Sequence, residues 1–233
     1  MANYELIAGH DLIENPSPRC ACMLVLDTSA SMADGLFGLF SEKGSSPIDQ
    51  LNQGVQSFIA ELQADEVAAC SVELGVITAG GSVTEQLPFT TAMSIDYCDQ
   101  FNASGGTPLG EAVEKALQRL EERKAEYKKA GVAYFQPWLV VISDGGPTDS
   151  WRSVASRTCS LSEQRKLVVL PVGVEGAQMD ILSEFSSRPA LKLDGLKFRE
   201  FFQWLSASMS RVSSSGSTTA AVNLPPMDGW SSI

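Results

Sequence analysis

From Cys22 onward, short apolar runs of strand length alternate with segments whose apolar residues recur at helical spacing. A mostly parallel sheet covered by helices requires this pattern, and few other folds accept it. The first run, Cys22-Met23-Leu24-Val25-Leu26, is unbroken and predicts a central strand buried on both faces. Between Pro47 and Leu62, the residues Ile48, Leu51, Val55, Phe58, Ile59 and Leu62 share one helical face, with Ser46 as cap and Pro47 at the first position. Ser71 to Thr78 and Ser82 to Phe89, on either side of Gly80-Gly81, predict an antiparallel hairpin at the sheet edge. Leu109, Ala112, Val113, Ala116, Leu117 and Leu120 form the stripe of a second helix. Trp138 to Ser143, Leu167 to Val172 and Ala190 to Leu193 supply three more strands, and Pro171 predicts a bend or bulge in the second of these. Phe198, Phe201, Phe202 and Leu205 mark a last helix. The expected architecture is therefore α/β and Rossmann-like: a central sheet of about six strands, mostly parallel, with one antiparallel edge strand and helices on both faces.

At 233 residues the chain suits one large domain. Residues 1–19 read as an N-terminal extension, 20–210 as the domain, and 211–233 as a Ser-rich linker with a Leu224-Pro225-Pro226-Met227-Asp228-Gly229-Trp230 tail. Twenty-eight acidic residues against 17 basic ones leave a net charge of −11. That balance argues against sequence-independent binding to nucleic acid or to an anionic membrane, both of which need clustered cations. The one basic cluster in the sequence, Arg119 to Lys129, is diluted by Glu121, Glu122 and Glu126 and reads as a solvated helix face. No segment approaches the roughly 20 apolar residues of a membrane span. Met1 to Arg19 lacks the basic start and apolar stretch of a signal peptide. The five cysteines, an odd number, lie mostly in apolar segments and predict buried reduced thiols in a cytoplasmic protein. Cys20-x-Cys22 lacks the two-residue spacing usual for metal or redox pairs.

Open α/β sheets bind ligands beyond the carboxyl ends of their strands. Three segments arrive there with hard oxygen donors: Asp27, Ser29 and Ser31 after the first strand, Thr107 before the stripe helix, and Asp144 after the fourth strand. Two carboxylates and three hydroxyls suit a hard divalent cation such as Mg²⁺, with Mn²⁺ or Ca²⁺ as alternatives. Two negative charges neutralise the ion without filling its coordination shell, so an external carboxylate can take an open position. Singly, each piece has a plainer reading. Asp-x-Ser-x-Ser is a weak pattern, Thr107 can cap the helix at Pro108, and Asp144 can serve the turn at Gly145. Together and in this order they point to a cation site.

Asp27-Thr28-Ser29-Ala30-Ser31-Met32, Gly105-Gly106-Thr107-Pro108 and Ser143-Asp144-Gly145 resemble the metal-ion-dependent adhesion site of von Willebrand factor A domains, over about residues 20–210. Asn15-Pro16-x-Pro18-Arg19-Cys20, Pro47-Ile48-x-x-Leu51-Asn52, Pro137-Trp138, Asp144-Gly145-x-Pro147-Thr148-Asp149-x-Trp151 and the terminal tail are similar to the bacterial tellurite-resistance TerY-like group. The resemblance implies Ser29, Ser31 and Thr107 as direct or near-direct ligands, with Asp27 and Asp144 acting mostly through water. It also implies a non-enzymatic cytoplasmic adaptor of a stress-response or defence system. Its partner would present an acidic residue to the ion and would be a protein kinase or phosphatase encoded nearby. Ala30 stands where that family usually has glycine. The stretch from Ala33 to Ser46 is longer than usual and carries Leu36, Phe37, Leu39 and Phe40, which either fold back over core or form an apolar contact surface beside the ion. Trp230 offers a further anchor for a partner or for the body itself.

An enzyme has less support. The sole histidine, His10, lies in the irregular N-terminal segment and is read as structural or solvated. An Mg²⁺-dependent phosphotransferase using Asp27 as nucleophile would want a second aspartate where Ser29 stands. No phosphate-binding glycine motif is present. A scaffold with an empty site is the remaining alternative.

Overall fold

The computed structural model describes residues 12, 15, 17–33, 46–144, 146–174, 176–193, 197–219, 221–227 and 231–232. The strands are β1 (Cys20–Asp27), β2 (Val72–Gly80), β3 (Ser82–Thr91), β4 (Trp138–Ser143), β5 (Val168–Gly173), β6 (Leu191–Leu193) and β7 (Ser231–Ser232). They form one sheet in the order β3-β2-β1-β4-β5-β6-β7. β1 pairs in parallel with both β2 and β4, and all eight of its residues are buried. Such a strand must be apolar on both faces, which is why its sequence runs without polar interruption. β2 and β3 form the expected antiparallel hairpin through Gly81 at φ 67°, and β3 keeps one side towards solvent. The sheet differs from expectation at two places. A second, two-residue antiparallel strand, β7, pairs with β6 at the far edge. Pro171 makes no bulge: β4 and β5 stay in register from Trp138 and Val168 onward, and β6 joins β5 only from Val172.

The helices are α1 (Pro47–Ala64), α2 (Glu66–Ser71), α3 (Leu109–Ala130), α4 (Arg152–Glu163), α5 (Met179–Ser183) and α6 (Phe198–Ser213). The strand period of two separates their cores. Cys22, Leu24 and Leu26 face α1 and α6, whereas Met23 and Val25 face α3, α4 and α5. Ser46 and Asp49 close a reciprocal capping box ahead of Pro47, as the start signal implied. α1 packs on α6 through Phe58 and Phe202, whose ring centroids lie 5.5 Å apart. Three helices, α2, α4 and α5, are not legible in the sequence. α2 has six residues and α5 five, too few to show a period, and α4 buries only Val154, Ala155 and Thr158. After α6, Val222, Leu224 and Met227 pack partly buried on the core, and the Trp204 indole N–H donates to the Pro225 carbonyl at 2.9 Å.

Beneath the amino ends of β1 and β2 lies a buried ion cluster. The Glu73 carboxylate accepts two hydrogen bonds from Arg123 (2.6 and 2.9 Å) and one from the Tyr127 hydroxyl (2.5 Å), and Arg19 Nε lies 3.5 Å away. Arg123 is 5% exposed and Tyr127 fully buried, so the α3 face read as solvated carries a buried arginine and a buried tyrosine. Burial acts to lower the Arg123 pKa, but the hydrogen bond and charge of Glu73 outweigh it and raise the value.

Candidate metal centre

β1 ends in the fully buried Asp27, and two hydrogen bonds fix its carboxylate. Oδ1 accepts from the Ser29 N–H at 2.9 Å, and Oδ2 accepts from the Ser143 hydroxyl at 2.6 Å. The first bond is a local side chain-to-backbone turn of the kind aspartate favours. It turns the chain into a short 3₁₀ helix, Ala30–Met32. That turn sets the Ser29 and Ser31 hydroxyls 3.0 Å apart, and Ser31 Oγ donates to Asp144 Oδ1 at 2.9 Å. Ala30 adopts no left-handed conformation, since Arg165 is the sole non-glycine residue with positive φ among those described. A methyl group there strains nothing.

The loop carrying Thr107 is stitched to the first loop through backbone. The Ser104 N–H donates to Thr28 O at 2.8 Å, and the Ala30 N–H donates to Gly105 O at 3.0 Å. The hairpin tip joins them, with the Gly81 N–H on Gly106 O at 2.8 Å. This closeness demands glycine: a Cβ on Gly105, which sits at φ 64°, would lie 2.4 Å from Gly81 Cα. Thr107 is 4% exposed and does not cap α3. Asp149 does so instead, accepting from the N–H groups of Gly110 (3.0 Å) and Glu111 (2.8 Å).

Asp27, Ser29, Ser31 and Asp144 thus form one hydrogen-bonded group, with Thr107 on the adjoining loop. The Asp144 carboxyl is pushed up to about 6, first by burial and next by the negative charge of Asp27. Two carboxylates placed together in this way repel, and a cation between them removes the repulsion. The donor chemistry fits a hard ion, since every candidate ligand is oxygen. Beside the site lies a pocket of about 300 Å³ lined by Thr28, Thr78, Ser82, Gln100, Asn102 and Ser104, with no ionisable side chain among its described lining residues. Leu36, Phe37, Leu39, Phe40 and Trp230, named from sequence as contact residues, lie outside the described residues, as do His10 and Gly145.

Ser143 and Asp149 lie within the sequence motifs, but nothing local in the sequence signals their roles. Ser143 orients Asp27 from 116 residues away, and Asp149 ties the fourth-strand loop to α3. The cysteines take no part. Burial pushes the Cys20 thiol up to about 12 and Cys22 well above its ordinary value, so both stay protonated.

Fold and site together define an open α/β domain with oxygen donors gathered at the carboxyl crevice of its sheet. The sequence matches the von Willebrand factor type A domain over residues 22–203, and the chain belongs to that family. No curated protein matches it. Among solved structures it is similar to proximal thread matrix protein 1 from the mussel byssus (TM-score 0.54, 15% identity), covering 82% of this chain and 46% of that one. A further structure of that protein, described as having a zinc-occupied MIDAS motif, matches with TM-score 0.50 and 17% identity over 85% of this chain and 46% of the other. The SpRpn10 VWA domain matches with TM-score 0.51 and 14% identity, covering 72% of this chain and 81% of that domain. This chain thus spans about half the length of the byssus protein. No helix among the described residues is long and apolar enough to cross a membrane.

Proposed function

We propose that this chain is a non-enzymatic binding domain that holds one divalent cation and uses it to capture an acidic side chain of a partner protein. The observation that carries this reading is the hydrogen-bonded group Ser29–Ser31–Asp144, set beside the buried Asp27 at the carboxyl ends of β1 and β4. Ser29, Ser31 and Thr107 would hold the ion, Mg²⁺ or else Mn²⁺ or Ca²⁺, with Asp27 and Asp144 supporting it through water. The bound ion would act as a Lewis acid and a positive anchor. The protein's own contribution is to fix the donors: Ser143 and the Ser29 N–H hold Asp27 in one orientation, and the stitched loops keep the serines paired. A chain of net charge −11 repels an acidic partner, so capture through the ion depends on the ion being bound. The neutral amide- and hydroxyl-lined pocket beside it suits the peptide groups flanking the captured residue.

Calorimetric titration with Mg²⁺ and Mn²⁺ tests the site. Wild type should bind one ion and Asp27→Ala none, and equal binding by both would refute the assignment. Retention of a partner in pull-downs should vanish with EDTA. Turnover of aryl phosphates, if seen, would favour a phosphotransferase instead. The motifs shared with the TerY-like group support placing the domain in a bacterial cytoplasmic stress-response or defence system with a kinase or phosphatase partner. The apolar run Leu36-Phe37-Gly38-Leu39-Phe40, close in sequence to Ser31, is the proposed additional contact. Deleting residues 35–44 should weaken partner capture and leave Mg²⁺ binding intact.

A further inference from the structure

At the end of the sheet remote from the metal loops, a groove carries the opposite charge to the chain as a whole. It opens beyond the amino ends of β4 and β5, has a volume of about 950 Å³, and is walled on one side by Ala221, Val222 and Leu224. Five cations line it: Lys124 and Lys128 from α3, Arg165 and Lys166 just after α4, and Arg188 ahead of β6. Glu163 is the one acid among its described lining residues, although acids outnumber bases 28 to 17 in the chain. Lys124 is paired with Glu121 at 2.5 Å. Part of the lining is apolar and partly exposed, contributed by Tyr134, Val168, Val222 and Leu224.

Arg165 adds a second observation. α4 closes with the Lys166 N–H on Leu161 O (2.9 Å) and the Arg165 N–H on Ser162 O (3.0 Å), which puts Arg165 in the left-handed region at φ 53°. Glycine normally fills that position because a side chain there is strained. The neighbouring α3 ends in the same hydrogen-bond pattern and does use glycine, Gly131 at φ 69°. The chain thus accepts backbone strain at the one helix end where an arginine faces the groove.

We propose that this groove binds an acidic, extended segment of a partner protein. Its carboxylates would meet Lys128, Arg165, Lys166 and Arg188, and its apolar side chains would lie on the Tyr134–Leu224 lining. A short segment feels chiefly the charges within a Debye length of about 8–10 Å, where the five cations outnumber Glu163, so the repulsion from the acidic remainder of the domain is largely screened. A long polyanion such as nucleic acid would extend into that repulsion and leave the apolar lining unused. The site is separate from the cation loops, since β4 runs from Trp138 in the groove to Ser143 beside Asp27.

Fluorescence anisotropy in EDTA tests the proposal, with a labelled peptide of alternating glutamate and leucine as probe. A lysine–leucine peptide and a short single-stranded DNA serve as comparisons. The acidic peptide should bind, and the combined Arg165→Gly, Lys166→Ala, Arg188→Ala variant should bind it about tenfold more weakly. Rising salt should weaken binding, and Asp27→Ala should leave it unchanged. Arg165→Gly alone relieves the backbone and so keeps the fold, and it too should reduce affinity. The proposal is overturned if the acidic peptide does not bind, if either comparison probe binds as tightly, if the variants bind like wild type, or if Asp27→Ala abolishes binding.

Discussion

Replacing Glu73 by glutamine tests what the buried ion cluster does for this fold. Glu73 and Arg19 are fully buried and Arg123 is 5% exposed. Glutamine keeps the shape of the side chain but removes the charge that both guanidiniums contact, at 2.6 Å for Arg123 and 3.5 Å for Arg19. Glu126, the other carboxylate on Arg123, is 51% exposed and compensates little through solvent screening. Removing one member of a buried charge pair costs about 3–5 kcal/mol, because the partner stays desolvated. An internal control is the Arg119–Glu85 pair, whose arginine is 42% exposed; a pair of this kind contributes about 0–1 kcal/mol. A domain of this size shifts by about 2–4 °C in Tm per kcal/mol. Glu73→Gln should then lower Tm by about 6–20 °C and Glu85→Gln by no more than about 4 °C. Urea unfolding gives the free energies directly. Glu73 pairs with Ala21, six residues before Asp27 on β1, so the cluster lies about 20 Å from the site at 3.3 Å per residue. Mg²⁺ affinity should therefore be unchanged in folded Glu73→Gln. A loss of under about 1 kcal/mol would show that the carboxylate does not stabilise the two arginines, and the reasoning would fail.

The proposed cation site makes a pH prediction. Asp144 titrates at about 6 rather than 3.8, so in the metal-free protein this group's contribution to stability falls as pH rises across that interval. Bound metal requires the ionised form, so Mg²⁺ affinity followed by calorimetry should be level above about pH 7 and fall about tenfold per unit below about pH 6. Asp144→Asn should raise the Tm of EDTA-treated protein at alkaline pH, and no rise would show that the two carboxylates do not repel. Gly105→Ala should destabilise the fold and weaken Mg²⁺ binding, because its Cβ would sit 2.4 Å from Gly81 Cα. Gly131→Ala, at nearly the same φ with nothing within 4 Å, should cost only the backbone strain of about 1–2 kcal/mol and leave Mg²⁺ affinity alone. Equal effects in urea unfolding would deny the contact between the loops.

Much of this protein is legible in its sequence because its strongest signals are local. The unbroken apolar β1, the stripe of α3, the Ser46-Pro47 start and the Gly80-Gly81 turn each state their structure within a few residues, and each appears as read. The spacing Asp27-x-Ser29-x-Ser31 likewise carries its own geometry, since one turn brings both hydroxyls to the same point. α2, α4 and α5 stay hidden because α2 and α5 are too short and α4 too polar for a period to show. The remaining features depend on residues far apart in the chain. Ser143 reaches Asp27 across 116 residues, Arg123 reaches Glu73 across 50, and Asp149 caps a helix that starts 40 residues before it. The basic groove gathers cations from Lys124 to Arg188 that a linear reading disperses among acids. Hydrophobic periodicity is a property of neighbours in sequence and so can be read from the chain alone. Charge pairing and ligand geometry are properties of neighbours in space, and only the packed sheet decides those.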